Sequence, residues 1–207
     1  MKPNNLVDYR KISNITSNNQ DLIAQSTKMD FGENTYKHEL WKYSKNTWKK
    51  YKGSKTNNFS MPKYSNNKRF ISYTRVDSKQ KEDLDDKKTK KRSLTSLCVQ
   101  SGNSIKTVFE TEGSIQNYIW SSKDKFIYIV TKEWDESFKN IDDKEMEPLY
   151  LENIPYRFDT RGIIFNKRNN VYKVNISNQK SSKIIDGDKE GFISIGSIAE
   201  KGNSLYF

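Results

Sequence analysis

The sequence predicts an all-β chain, organised as a partial β-propeller of about three and a half four-stranded antiparallel blades. Two observations predict this fold class. A short phrase occurs four times, and a second pattern of strand, turn and strand follows its first three copies in the same order. Repeats of roughly 40 to 50 residues are typical of propellers and repeat arrays. An ordinary β-sandwich with coincidental turns is the alternative.

The repeated phrase consists of a small residue, a polar turn and an apolar pair. The small residues stand at 17, 65, 121 and 199, so the copies are 48, 56 and 78 residues apart. The two clearest copies are YSNNKRFI at 64–71 and WSSKDKFI at 120–127. The turns are rich in Asn, Asp, Lys and Ser, which tolerate left-handed backbone or bond their own backbone. Aromatic and β-branched residues follow, so each copy predicts a β-hairpin.

A second pair of predicted strands completes each unit. The first strands of these pairs begin at Glu39, Leu97 and Asn170, and the second strands begin at Trp48, Ile105 and Lys183. A glycine then follows at Gly53, Gly113 and Gly187, where the chain must turn toward the next unit. The predicted organisation is a lead-in at 1–11, blades at 12–56, 57–113 and 114–190, and the start of a fourth blade at 191–207.

Two segments interrupt this pattern. Residues 79–92 read KQKEDLDDKKTKKR, and this mixture of charges predicts a solvated loop rather than a nucleic-acid-binding tail. Residues 132–169 are a longer insertion in the third blade, which contains Arg157, Asp159 and Arg161. These three side chains form either a substrate-facing ion-pair set or a structural ion pair that holds the loop.

The composition limits the classes of function. The chain has 207 residues, and 37 basic against 26 acidic residues give a net charge of +11. The lysines are scattered along the sequence, so we expect no specific nucleic-acid partner. No stretch approaches the length of an apolar membrane span, and the first residues lack the apolar core of a signal peptide. The single cysteine, Cys98, predicts a small buried residue and is consistent with a reducing, cytoplasmic location. We expect no cofactor and no metal.

The insertion carries a resemblance to a known family. The stretch IPYRFDTRGIIFNKRNNVYKVN at 154–175, followed by IIDGD at 184–188, resembles part of the propeller domain of acylaminoacyl-peptidase-like enzymes. These enzymes belong to the prolyl oligopeptidase family of serine peptidases. The phrase at 120–127 likewise resembles the family's WSPDGKKIAF turn, although the chain lacks Pro-Asp-Gly in every turn and has Thr160 where Gly is common. The resemblance extends over residues 12–207.

The resemblance implies a propeller that is followed by a C-terminal α/β-hydrolase domain with a catalytic Ser, Asp and His. The sequence contains no G-x-S-x-G, and the single histidine, His38, lacks a nucleophile context. We therefore expect no catalytic residue here. The resemblance implies an N-terminal propeller fragment that gates the access of short peptides to a hydrolase domain not present in this chain. A non-catalytic, TolB-like interaction module is the alternative. Open blade edges would also favour self-association.

Overall fold

The computed structural model describes residues 9–32, 34–54, 57–77, 94–134, 157–158, 162–163, 167–187, 195–202 and 204–207. The chain divides into two compact units. The first comprises Met1–Asp86 and Ser93–Glu110, and the second comprises Lys87–Arg92 and Thr111–Phe207.

The described residues form sixteen β-strands. They are β1 (Arg10–Ser17), β2 (Leu22–Asp30), β3 (Thr35–Ser44), β4 (Thr47–Lys52), β5 (Asn57–Tyr64), β6 (Ile71–Asp77), β7 (Thr95–Ser101), β8 (Ser104–Thr111), β9 (Ser114–Trp120), β10 (Phe126–Trp134), β11 (Arg157–Phe158), β12 (Gly162–Ile163), β13 (Lys167–Asn175), β14 (Ser181–Ile185), β15 (Ala199–Lys201) and β16 (Ser204–Tyr206).

Three four-stranded sheets contain most of these strands. The first unit holds the sheets β1-β2-β3-β4 and β5-β6-β7-β8, in which each strand pairs with its neighbour in sequence. The second unit holds the sheet β14-β13-β10-β9 and the hairpin β15-β16, while β11 and β12 form a short pair of their own. The predicted all-β class with four-stranded antiparallel blades is confirmed.

The two interruptions of the pattern have different outcomes. The charged loop 79–92 lies outside the described residues. The predicted insertion 132–169 begins and ends within strands, because β10 pairs with β13 as far as Trp134 and Lys167. The structure thus extends both strands beyond the sequence-based limits, since cross-strand pairing continues where the hydrophobic pattern has already ended.

The repeated phrase forms the same turn in its two clearest copies. In the copy at 64–71, the Ser65 N–H donates to the Phe70 carbonyl at 3.0 Å and the Lys68 N–H donates to the Ser65 carbonyl at 3.0 Å. The Phe70 N–H donates to the Ser65 hydroxyl at 3.1 Å. Ser65 is fully buried. A small hydroxyl residue is needed here because its oxygen must reach the backbone across the turn while its side chain fits inside the blade.

The copy at 120–127 repeats these bonds. The Ser121 N–H donates to the Phe126 carbonyl at 2.9 Å, and the Asp124 N–H donates to the Ser121 carbonyl at 2.9 Å. The Phe126 N–H donates to the Ser121 hydroxyl at 3.0 Å. The phrase is therefore a structural repeat as well as a sequence repeat.

The fourth residue of this turn has left-handed backbone in three copies. The φ angle is 62° at Lys68, 55° at Asp124 and 61° at Gly202. Glycine adopts this conformation without a steric penalty, whereas a residue with a Cβ atom incurs one. Only the last copy therefore has the residue that suits the turn best.

Lys68→Gly and Asp124→Gly are each expected to stabilise their unit by about 0.5 to 1 kcal/mol, because the relief of left-handed strain exceeds the entropic cost of glycine. Urea unfolding measures the change. Arg69→Gly is the matched control, because Arg69 is exposed in the same turn and is not among the positive-φ residues. The control should be destabilised, and a loss of stability in Lys68→Gly equal to that of the control would contradict the prediction.

Hydrogen bonds join equivalent positions of consecutive copies within each unit. The Tyr64 N–H donates to the Thr16 hydroxyl at 3.2 Å, across 48 residues. The Ser122 N–H donates to the Glu200 carboxylate at 2.5 Å, across 78 residues. The Tyr128 hydroxyl donates to the other oxygen of Glu200 at 3.2 Å. The separations of 48 and 78 residues equal spacings of the repeated phrase, so consecutive copies are in register with each other.

Each unit has its own hydrophobic core. In the first unit, the core joins the first two sheets and contains Ile23, Leu40, Phe59, Ile71, Tyr73 and Cys98. In the second, it contains Val130, Val171, Ile185, Ile195 and Ile198. Cys98 is buried as predicted, and burial raises the pKa of its thiol. Large residues that are wholly buried, such as Tyr73 and Tyr118, compensate for the low hydrophobic content of the sequence.

Candidate functional site

Of the three candidate site residues that the sequence predicts, the structure describes only Arg157. Arg157 lies in β11, where its backbone pairs with Ile163 of β12. Asp159 and Arg161 lie outside the described residues. Whether the three form an ion-pair set therefore stays a prediction.

The most developed polar site of the first unit lies between its two sheets. We call it the interblade polar cluster, and it consists of Asn14, Gln25, Thr27, His38 and Asn58. It lies beside two strand irregularities, because the register shifts in β1 between Ser13 and Thr16 and in β5 between Ser60 and Lys63. Bulges of this kind re-aim side chains and are frequent near functional sites.

One buried amide, that of Gln25, accepts a hydrogen bond from each of the two irregular strand segments. The Gln25 Oε1 atom accepts hydrogen bonds from Asn14 Nδ2 at 2.8 Å and from the Met61 N–H at 3.1 Å. Asn14 and Met61 have left-handed φ angles of 50° and 49°. Gln25 is only 7% exposed, so it holds the two strained positions inside the structure. The amide orientation is fixed, because its oxygen faces two donors.

The same amide selects the tautomer of the neutral His38 ring. Gln25 Nε2 lies 3.3 Å from His38 Nδ1, and the Thr27 hydroxyl lies 2.9 Å from the same nitrogen. An amide N–H can only donate, so Nδ1 accepts and the neutral ring carries its proton on Nε2. Burial lowers the pKa of His38. The His38 backbone N–H donates to Asn58 Oδ1 at 2.9 Å.

The free energy of unfolding is expected to fall as the pH drops from about 7 to about 5, because His38 binds a proton more readily in the unfolded chain than in the folded one. The unfolded reference pKa is 6.5 and the folded pKa is lower, so unfolding takes up a proton in this window. Thermal unfolding at several pH values measures the slope.

His38→Gln is expected to flatten that slope, because His38 is the only histidine of the chain. The lowered carboxyl pKa values of Asp21 and Glu39 act in a more acidic window, where their stabilising charge is lost as they become protonated. An unchanged slope in His38→Gln would contradict the assignment.

A second polar group lies around Glu39 of β3. Its carboxylate accepts from Lys50 Nζ at 2.7 Å, from Arg10 at 3.2 Å and from Trp41 Nε1 at 3.3 Å. Arg10 also stacks over the Trp41 ring, 5.2 Å from its centroid. Burial opposes ionisation, but the bonds from Lys50, Trp41 and Arg10 outweigh it and hold the pKa of Glu39 below its usual value.

In both arrangements the side chains bond residues of neighbouring strands. The side chains that meet the ring of His38 are an amide and a hydroxyl, whereas a triad needs a nucleophile on one ring nitrogen and an acid on the other. The part of the chain that the structure describes also contains no group of three His, Cys, Asp or Glu residues that could hold a metal ion. Nor do those residues form a helix long and apolar enough to cross a membrane.

The sequence did not reveal Gln25 and Asn14 as important. Both are polar residues in predicted strand regions, and their partners are distant in sequence, since Met61 is 36 residues from Gln25. The one available signal was that Gln25 directly follows the apolar run Leu22–Ala24 of β2.

Comparisons with known proteins give similarity of fold. No protein-family model matches the sequence, and no curated protein does. An acylaminoacyl peptidase in complex with Z-Gly-Gly-Phe-chloromethyl ketone superposes with a TM-score of 0.62 at 14% identity, over 86% of this chain and 25% of that chain. The Pyrococcus horikoshii acylaminoacyl peptidase matches with a TM-score of 0.63 at 14% identity in its orthorhombic crystal form, over 86% of this chain and 26% of that chain. Its uncomplexed form gives 0.61 at 13% identity, over 86% and 25%.

These similarities confirm, at the level of the fold, the resemblance to the propeller of acylaminoacyl-peptidase-like enzymes. The chain has a propeller-type fold built from four-stranded blades. It spans about a quarter of the length of the peptidase chains that it matches.

Proposed function

We propose that the chain is the N-terminal propeller part of an acylaminoacyl-peptidase-like serine peptidase of the prolyl oligopeptidase family. In this proposal it gates the access of short peptides to a hydrolase domain not present in this chain, and it acts in the cytoplasm. The observation that carries the proposal is the structural similarity over 86% of the chain to one quarter of a peptidase. The motif at 154–165 supports it independently, because its resemblance to the family lies in the sequence and not in the fold.

The polar sites support a gating module rather than a catalytic one. The interblade polar cluster and the Glu39 group both use their side chains to bond neighbouring strands. In the proposal, blades held together in this way restrict the size of what reaches a separate active site. The partners that we propose are therefore the hydrolase domain and its short peptide substrates, and open blade edges provide a route to self-association.

The proposal is tested with the native protein. An antibody raised against the purified chain is used to precipitate it from cells that express the gene. The precipitate then contains any bound partner protein and any longer polypeptide that includes this sequence. The precipitate is expected to hydrolyse acylated dipeptides and short peptides but not folded proteins, and the purified 207-residue chain alone should be inactive. A precipitate without peptide hydrolysis would contradict the proposal.

The alternative is a non-catalytic propeller-type (TolB-like) interaction module. One observation favours it, namely the exposed Tyr43 and Trp48 side chains of the β3–β4 hairpin. The same precipitation distinguishes the two functions, because an interaction module would bring down a partner without peptide hydrolysis.

A further inference from the structure

The hairpin formed by β3 and β4 is unusually basic. Residues 35–52, which form the hairpin, contain six lysines and one acidic residue, Glu39. Its turn is formed by Lys45 and Asn46, which have left-handed φ angles of 50° and 62°. The hairpin lies at the edge of its sheet, because β4 is the last strand in the order β1-β2-β3-β4.

An aromatic pair lies directly beside that turn. Tyr43 and Trp48 are cross-strand partners, and their ring centroids are 5.2 Å apart with the ring planes tilted by 46°. Both residues are exposed, Tyr43 by 36% and Trp48 by 47% of their surface. A tryptophan with half its surface in water leaves a large ring face available for stacking.

The lysines of the hairpin differ in their partners. Lys42 pairs with Asp21 at 2.7 Å, and Lys50 pairs with Glu39 at 2.7 Å. Lys45 and Lys49 are exposed, and neither has a carboxylate within ion-pair distance among the residues that the structure describes. Lys45 lies in the turn, and Lys49 follows Trp48 in β4, where successive side chains point to opposite faces of the sheet.

We propose that the β3–β4 hairpin binds single-stranded nucleic acid without sequence preference, with bases stacked on Trp48 and Tyr43 and phosphates held by Lys45 and Lys49. Exposed aromatic rings interleaved with cationic side chains are the combination that such binding requires. The bound nucleic acid runs along the edge of β4, where side chains from both faces of the sheet can reach its phosphate backbone. This surface is independent of the proposed peptide gate.

A simpler function for the same residues predicts different behaviour. Lysines on an edge strand prevent pairing with other chains, and a cross-strand aromatic pair stabilises a hairpin. In that case Lys45 and Lys49 could be exchanged for other charged residues without any effect on nucleic-acid binding. The proposal requires positive charge at these two positions and a ring at position 48.

The test is fluorescence anisotropy with a labelled oligothymidine of about 16 nucleotides, its oligouridine equivalent and an abasic strand of the same length. Lys45→Glu/Lys49→Glu is expected to weaken oligothymidine binding at least tenfold and to reduce the salt slope by about 1.4, which corresponds to two phosphate contacts. The matched control is Lys106→Glu/Lys201→Glu, which makes the same change in net charge at exposed positions elsewhere. It should stay within threefold of the wild type.

Trp48→Ala tests the stacking directly. It is expected to weaken oligothymidine binding about 5- to 150-fold and to leave binding of the abasic strand nearly unchanged, whereas Trp48→Phe should retain most of the affinity. Circular dichroism of each variant checks that the sheet is intact. Binding of either the DNA or the RNA strand in this pattern supports the proposal. Equal losses in the two double variants, equal binding of the abasic strand or of polyglutamate, or no binding at all would overturn it.

Discussion

Gly113→Ala is expected to destabilise the second unit by about 3 kcal/mol, near the upper end of what an overpacked site costs. A Cβ atom at Gly113 would lie 2.2 Å from the carbonyl oxygen of Lys132 and 3.1 Å from the Cα atom of Glu133. Both are backbone atoms of β10, so no side-chain rotation can relieve the clash. The start of the β9–β10 pairing would have to open, because Ser114 next to the glycine pairs with Lys132.

Gly187→Ala is expected to behave in the same way, because its Cβ atom would lie 2.3 Å from the Asn169 carbonyl oxygen. Gly196→Ala is the matched control in the same unit, since a Cβ atom there meets nothing within 4 Å. Chemical denaturation of the three variants measures the effect. Equal stability of Gly113→Ala and Gly196→Ala would show that the close approach of the backbone is not a requirement of the fold.

Glu133→Ala is expected to cost about 3 kcal/mol, because it leaves several donors without their acceptor. The Glu133 carboxylate accepts from the Thr111 hydroxyl at 2.8 Å, from Asn170 Nδ2 at 2.8 Å and from the Tyr172 hydroxyl at 3.0 Å. Asn170 is 1% exposed, so water cannot replace the lost acceptor at that position. Asn170 in turn accepts from the Gly187 N–H at 2.8 Å, so the group also holds the point where the chain leaves the blade.

Two further variants separate the charge from the hydrogen bonds. Glu133→Gln keeps one acceptor oxygen and should lose less stability than Glu133→Ala. Tyr172→Phe removes a single donor and should cost about 1 kcal/mol in the wild-type background but much less beside Glu133→Ala. Additive losses of Tyr172→Phe and Glu133→Ala would contradict a shared network.

The sequence predicted those parts of the fold that depend on local pattern. The phrase around Ser65 and Ser121 recurs because the turn needs a small hydroxyl residue, and the same bonds are found in both copies. Gly113 and Gly187 were predicted as turning points, and the close approach of the backbone explains why they are glycines. Local chemistry of this kind is visible in a single sequence.

The parts that could not be predicted depend on partners that are distant in sequence. Met61 is 36 residues from Gln25 and Asn170 is 37 residues from Glu133, and either residue alone reads as an ordinary polar residue of a strand. The surface that we propose binds nucleic acid could not be predicted from the sequence for a related reason. The lysines are scattered along the whole sequence, and only the ion pairs of the fold show which lysines of the β3–β4 hairpin, Lys45 and Lys49, are exposed without a carboxylate partner in the described part of the chain.

The central proposal, that this propeller works with a serine hydrolase, is tested most directly by labelling with a fluorophosphonate probe. Native extract is treated with the probe, the chain is precipitated with its antibody, and the precipitate is separated by size. The proposal predicts a labelled polypeptide that contains this sequence or binds to it, with labelling blocked by an acylaminoacyl chloromethyl ketone. A precipitate that contains the chain but no labelled polypeptide would contradict the account.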